Sequence, residues 1–222
     1  SIVLPLGEVR ITKKIHSILI IMRVNTNIDI WDQNKKRIFE KPKVDYAKRS
    51  LYSILKSAEN LKNLSTNIDI KLIIVDNGSK KEDLDQLNKI LANTNINNKI
   101  VNHDTNEHKS IIKSQKKSET LSNLSSLLKC FELGKSEGSD LIYFVEDDYI
   151  HFKNSLEEMI NTYERISTQL KKDLFICPSD YPYLYMNNEK TNLLIGNKRH
   201  WRTVNKSLCT IMTSRNFLDK YW

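Results

Sequence analysis

Three acidic residues in succession, Glu146-Asp147-Asp148, close a run of five apolar residues, Leu141-Ile142-Tyr143-Phe144-Val145. Their mutual repulsion is unfavourable unless water, a cation or a basic side chain offsets it. A hard divalent ion takes one or two carboxylates together with substrate phosphates and water. One expectation is therefore Mg²⁺ or Mn²⁺ holding a diphosphate at these acids; the plain alternative is a solvated strand end. A second strand-like run, Ile70-Lys71-Leu72-Ile73-Ile74-Val75, is closed by Asp76-Asn77-Gly78-Ser79, and a third, residues 18–24, delivers Arg23 and Asn25. Ligands of open parallel sheets bind outside the carboxyl ends of the strands. All of these polar residues are thus expected along one edge.

The elements that would position them alternate. Residues 18–24 read as a buried strand, followed by a polar loop to about residue 43. Leu51, Ile54, Leu55, Ala58 and Leu61 recur at helical spacing and predict a helix over 46–64. After the strand at 70–75, Ser79 with Glu82 predicts a capping box, and the helix it opens carries Leu84, Leu87, Ile90 and Leu91. Residues 99–101 form a weak third strand, and 107–117 read as a basic loop. A helix over 119–133 buries Leu121, Leu124, Leu127, Leu128 and Phe131 and is ended by Gly134. The strand at 141–145, a helix over 155–170 and a strand at 174–176 follow, with further strands at 193–195 and 208–212. Such alternation predicts one α/β domain over 1–222, a mainly parallel sheet flanked by helices, with a donor-binding half at about 15–150 and an acceptor-side half at 151–222.

Composition narrows the class. With 222 residues and 39% hydrophobic residues the chain can bury a core, so disorder is excluded. The longest apolar run is strand-sized, far short of the ~18–20 residues of a membrane span. A net charge of +8 favours anionic partners, although a lysine-coated solvated surface would give the same balance. Cys130, Cys177 and Cys209 are odd in number and lack a C-x-x-C pair, which fits a reducing, cytoplasmic compartment with room for peripheral contact with an anionic membrane. The chain opens at Ser1 and stops at Trp222, the expectation for a trimmed chain. Phosphate-loop, dinucleotide and serine-hydrolase signatures are missing from the sequence.

The pairing of Ile73-Ile74-Val75-Asp76-Asn77-Gly78-Ser79 with Tyr143-Phe144-Val145-Glu146-Asp147-Asp148 resembles the GT-A class of nucleotide-sugar glycosyltransferases, and most of all the bacterial family-two enzymes. The resemblance covers about residues 15–215, and only these two motifs are specific. It implies a GT-A, Rossmann-like fold and transfer of a sugar from a nucleotide-diphosphate donor to a hydroxyl of a glycan, lipid-linked or protein acceptor, as in surface-glycan or polysaccharide synthesis. Asp76 matches the base-contacting aspartate, with Asn77 beside it, and Asp148 matches the metal ligand. Glu146 and Asp147 are the remaining members of the acidic cluster, and Arg23 and Asn25 stand where the family carries P-x-[YF]-N. Late histidines ligate the metal in several such enzymes, which makes His200 a second candidate ligand. No E-D or Q-x-x-R-W motif follows; instead Pro178-Ser179-Asp180-Tyr181-Pro182 and Arg199-His200-Trp201-Arg202 resemble the D-Y-P and H-W-R segments of another bacterial branch.

Asp180 lies in chain order where an inverting enzyme keeps its general base, which would take the acceptor hydroxyl's proton; a turn residue is the alternative. Arg199 and Arg202 would meet the negative charge of the departing diphosphate, or simply coat a basic strand. Trp201, Tyr181, Tyr183 and Tyr185 read as a sugar-stacking wall or as packing. His103 and His108, beside Asp104 and Glu107, are poorly spaced for zinc. A nucleotidyltransferase is excluded because Asn25-Thr26-Asn27-Ile28-Asp29 has no glycine. A non-catalytic basic module for an anionic ligand is the competing class; nucleic acid is disfavoured because the lysines are not striped with aromatics.

Overall fold

The computed structural model describes residues 9–27, 39, 41–65, 67–112, 118–186 and 188–222, with the backbone alone at 118 and 119. In chain order the elements are β1 (Ser17–Val24), α1 (Lys43–Leu64), β2 (Asp69–Asp76), α2 (Lys81–Leu91), β3 (Asn97–Asn102), a 3-10 turn (Thr105–His108), α3 (Ser118–Glu137), β4 (Leu141–Glu146) and α4 (Ser155–Leu170). Then come β5 (Phe175–Ile176), a second 3-10 turn (Pro182–Tyr185), β6 (Leu193–Ile195), β7 (His200–Arg202), β8 (Ile211–Ser214) and α5 (Arg215–Tyr221).

Six strands form one sheet in the order β3-β2-β1-β4-β8-β5. β1 pairs parallel with β2 and β4, β2 pairs parallel with β3, and β8 runs antiparallel to β4 and β5. The architecture is therefore α/β with a mainly parallel sheet flanked by helices, compatible with a Rossmann-like fold. The chain winds outward from β1 to β2 and β3, then returns to place β4 on the other side. That reversal makes a crevice at the carboxyl ends of β1 and β4, where such sheets bind ligands.

The central strands are apolar on both faces because helices cover both. Ile18, Ile20, Met22 and Val24 of β1 pack with Leu51, Ile54 and Leu61 of α1 and Leu156, Met159 and Tyr163 of α4. Leu19 and Ile21, pointing the other way, join Ile142, Phe144, Cys130 of α3 and Leu218 of α5. Each fully buried Leu or Ile contributes about 1.5–3 kcal/mol, so the two layers hold the strand ends firmly in register.

Several expectations change. α2 begins at Lys81 with Lys80 as its cap and no side-chain capping bond, because Ser79 Oγ instead accepts from Thr26 N at 3.0 Å. α3 runs through Gly134 to Glu137. A Cβ on Gly134 would lie 3.1 Å from Leu218 Cδ2 and Phe144 Cζ, so this glycine permits close packing rather than ending the helix. The face of α3 turned inward is made of small residues, Ser125, Ser126 and Cys130, while Leu124 is exposed and Leu121, Leu127 and Leu128 are only half-buried. The strand expected at 208–212 lies at Ile211–Ser214, and β7 is an addition. The expected loop over 25–43 and the basic loop over 107–117 fall partly outside the described residues; 107–108 belong to the first 3-10 turn.

Candidate functional site

Successive side chains of a strand point to opposite faces, and this divides the acidic triplet. Glu146 emerges on the α3 side, where its Oε1 accepts from Arg23 Nη2 at 2.7 Å. Arg23 Nη1 donates onward to Asn123 Oδ1 at 2.7 Å and Ser126 Oγ at 3.2 Å, so the guanidinium joins β1, β4 and α3. Asp147 emerges on the α1 side, is buried, and pairs with Lys43 Nζ at 2.7 Å. A lysine opening a helix opposes the helix dipole, and Asp147 supplies the compensating charge. Burial holds the Asp147 carboxyl above its ordinary range, with the Lys43 charge opposing that shift. Asp148, past the strand end, is exposed and has no hydrogen-bond or ion-pair partner among the described residues. The repulsion anticipated within the triplet is thus relieved mainly by the chain's own Arg23 and Lys43.

The carboxyl ends of β1 and β2 are stitched together beside it. Asp76 is buried and its Oδ1 accepts from Ser79 N at 3.0 Å across a turn in which Gly78 adopts φ +87°. Asn25 Nδ2 donates to Asn77 O at 2.6 Å, and Asn25 N donates to Asp147 Oδ2 at 3.3 Å, so one residue touches both acidic strand ends. Asn27 Nδ2 closes the turn on Gly78 O. Asn77 is committed elsewhere: its Nδ2 donates to Ser122 Oγ at 2.7 Å, and its Oδ1 accepts from Thr105 Oγ1 at 3.2 Å. In register, Val24 faces Asp76 and Arg23 faces Glu146, which sets Asp76 and Glu146 on either side of β1 at two strand spacings, about 10 Å.

The C-terminal candidates line a separate cleft of about 830 Å³ between the β5 edge, the 178–185 segment and the β6–β7 hairpin. Asp180, Arg199, His200, Arg202, Trp201 and Lys206 are on its wall. Asp180 is exposed, and both its oxygens are engaged: Oδ1 by Arg202 Nη2 at 3.3 Å and Oδ2 by the Tyr185 hydroxyl. Donating to that carboxylate pushes the Tyr185 phenol above its ordinary value. The Arg202 guanidinium also lies 4.2 Å over the Tyr185 ring. The Arg199 guanidinium sits 5.3 Å over Phe152, and neither it nor the Lys206 ammonium has an acidic side-chain partner among the described residues. His200 is exposed on β7. Tyr181 stacks on Tyr183 at 5.5 Å, whereas Trp201 is half-buried packing whose Nε1 donates to Glu158 at 3.2 Å.

Asp148 is tied to this cleft through its own chain neighbours. Tyr149 OH and Tyr181 OH are 2.6 Å apart, and Phe152 carries Arg199. Asp148 and His200 do not belong to any group of three potential metal ligands among the described residues. The donor set that remains is one free carboxylate, so a hard cation held there would have to take its other ligands from phosphate and water.

Two positioning features escaped the sequence. Glu158, buried on α4, accepts from the backbone N–H groups of Asn197 (3.1 Å), Lys198 (2.7 Å) and Arg199 (3.2 Å), from Thr162 Oγ1 (3.1 Å) and from Trp201. It holds the hairpin that presents Arg199, His200 and Arg202. Its only signal is a glutamate four residues before Thr162, indistinguishable from a surface pair. The second is the histidine pair: His103, Glu107 and His108 do converge, with a ligand atom of each within 4.8 Å of the others, against the expectation from spacing. The 3-10 turn folds the i, i+4, i+5 pattern onto one side. Fold and site together define an α/β protein with polar carboxyl ends on its central strands and a cationic cleft at the β5 edge of the sheet. Compared with known protein families and with curated proteins, the chain matches none.

Proposed function

We propose that this chain is a GT-A-type glycosyltransferase that uses a nucleotide-diphosphate sugar and a Mn²⁺ or Mg²⁺ ion to glycosylate a hydroxyl acceptor. The observation that carries this reading is the division of labour in the triplet: Glu146 and Asp147 are neutralised by Arg23 and Lys43, and Asp148 is left free at the rim. In this reading Asp148 holds the cation, with His200 as a further candidate. The ion's contribution is to neutralise charge on the diphosphate. In this reading the Asp76-Asn77-Gly78-Ser79 turn, fixed by Asn25 and Thr26, meets the nucleoside, which has to reach the buried Asp76 carboxylate through Oδ2, since Oδ1 already accepts from Ser79 N. Arg199 and Lys206 face the leaving diphosphate, where fixed positive charge stabilises developing negative charge.

Asp180 receives the acceptor proton in this reading. Its two present partners make it a clamped carboxylate, so an entering hydroxyl has to displace Tyr185 from Oδ2. The acceptor is a glycan, lipid-linked or protein hydroxyl, and the tyrosines at 181 and 183 supply an aromatic wall beside the base.

Calorimetric titration with UDP and GDP tests the reading. Binding of one of them is expected, tightened by Mn²⁺, and Asp148→Ala should remove the tightening. One observation favours a second reading, a non-catalytic anion-binding domain: two of the three acids already carry protein cations. Diphosphate binding that ignores both Mn²⁺ and Asp148→Ala would select it.

A further inference from the structure

The cleft at the β5 edge changes character along its length. α4 lines it with Thr162, Ile166 and Leu170, which recur every four residues and so form one stripe of the helix surface, about 12 Å long at 1.5 Å per residue. One turn before Thr162 stands Glu158, whose carboxylate accepts the backbone N–H groups of Lys198 at 2.7 Å and Arg199 at 3.2 Å. This fixes the corner of the β6–β7 hairpin at the amino-terminal end of the stripe. There Lys198 pairs with Glu157 at 2.8 Å, and the Arg199 guanidinium has no acidic side-chain partner among the described residues. At the other end the stripe reaches Leu170, and Leu174, Phe175 and Leu193 join it on the cleft wall. Leu170, Phe175 and Leu193 are 42%, 50% and 46% exposed. Apolar side chains exposed singly are ordinary, but several lining one cavity mark a binding surface.

We propose that this cleft binds an anionic amphiphile, a phosphate ester of a long apolar chain, with the phosphate at Arg199 and the chain laid along the Thr162-Ile166-Leu170 stripe. A guanidinium offers planar, paired N–H donors that match phosphate oxygens, and Arg199 is held in place by its own backbone N–H on Glu158. The apolar end offers contact area with few hydrogen-bonding groups, which suits a hydrocarbon chain and leaves sugar hydroxyls unpaired. The cleft volume of about 830 Å³ lies within the ~300–1,000 Å³ of small-molecule sites. A free phosphate would use the Arg199 corner and leave the stripe exposed. A neutral lipid would cover the stripe and leave the cation without a counter-charge.

The binding itself stands independently of the transferase reading; its role rests on that reading. The amphiphile is then the acceptor, and a sugar on its headgroup supplies the hydroxyl that meets Asp180 on the same cleft wall. The headgroup end is the end that leads back to Asp148, through Arg199 over Phe152 and through the Tyr149–Tyr181 hydroxyl pair. The chain runs the opposite way, toward Leu170. Arg199 is shared between the acceptor's phosphate and the departing diphosphate, which its five N–H donors permit.

The test titrates the full chain by calorimetry, without nucleotide or metal, with farnesyl phosphate below its micelle concentration, and with farnesol and inorganic phosphate in parallel. One equivalent of farnesyl phosphate is expected to bind at least about tenfold tighter than either control, since each control keeps only one end of the interaction. Arg199→Gln should weaken farnesyl phosphate about tenfold and leave farnesol unchanged, whereas Leu170→Asp should weaken both. Arg199 and Leu170 are exposed, so both variants keep the fold. Saturable farnesyl phosphate binding in a chain that binds neither UDP nor GDP would keep the amphiphile site and remove the transferase role. Binding that does not saturate, inorganic phosphate as tight as farnesyl phosphate, or an affinity unchanged in both variants overturns the proposal.

Discussion

Replacing Lys43 by Met strands the Asp147 carboxylate in the protein interior. The Asp147 side chain is 8% exposed and that of Lys43 21%, with 2.7 Å between their charges. Removing one partner of a buried pair costs about 3–5 kcal/mol; the partly open lysine argues for the lower end, about 3 kcal/mol at neutral pH. With a urea m-value of roughly 3 kcal/mol/M for a chain of this size, the unfolding midpoint should fall by roughly 1 M. The pH dependence fixes the cause. Burial already raises the folded-state pKa of Asp147 above its unfolded value of about 3.9. Between those two values the folded protein binds more protons than the unfolded one, so this group's contribution falls as pH rises through that window. Without Lys43 the folded pKa rises further and the window extends upward. The variant's deficit should therefore be larger at pH 7.5 than at pH 5, and adding Asp147→Asn should restore most of the loss. Urea unfolding of the wild type, Lys43→Met and the double variant at both pH values measures this. An equal deficit at both, or no recovery in the double variant, would refute internal neutralisation of Asp147.

Two further outcomes follow from local geometry. The His151 ring, 2.8 Å from the Tyr143 hydroxyl, is pushed down by burial to about 4. The unfolded chain binds the proton first on acidification, so stability should fall from pH 6.5 toward 4, by about 2 kcal/mol at pH 5, and His151→Gln should flatten that slope in acid-titration unfolding. Gly78→Ala places a Cβ at φ +87° with nothing within 4 Å, so the cost is backbone strain alone, about 1–2 kcal/mol, and Gly78→Asn should cost less in the same urea assay.

Much of the frame was legible because burial on both sheet faces leaves continuous apolar runs, and β1, β2 and β4 follow those runs to within a residue or two. The acidic strand ends were legible for the same reason. Their neutralisation was not, because Arg23 and Lys43 are more than a hundred residues away in the chain from Glu146 and Asp147. The pleat alone could have warned that Glu146 and Asp147 diverge to opposite faces. α3 misled through its leucines: close approach to the sheet selects Ser126, Cys130 and Gly134, four residues apart, and the larger residues flank the contact. His103 and His108 gave no familiar ligand spacing, since a four-residue 3-10 turn and a serine from α3 assemble them. Glu158 acts through hairpin amides some forty residues downstream, a pairing invisible to any local pattern.

The central claim is that Asp148 is the one acid of its triplet reserved for a cation that travels with a diphosphate. Its most direct test compares UDP and GDP affinity with and without Mn²⁺ in the wild type and in Asp148→Ala. The account predicts at least a tenfold gain from Mn²⁺, about 1.4 kcal/mol, in the wild type and none in the variant. Equal gains in both proteins, or no nucleotide binding at all, would contradict it.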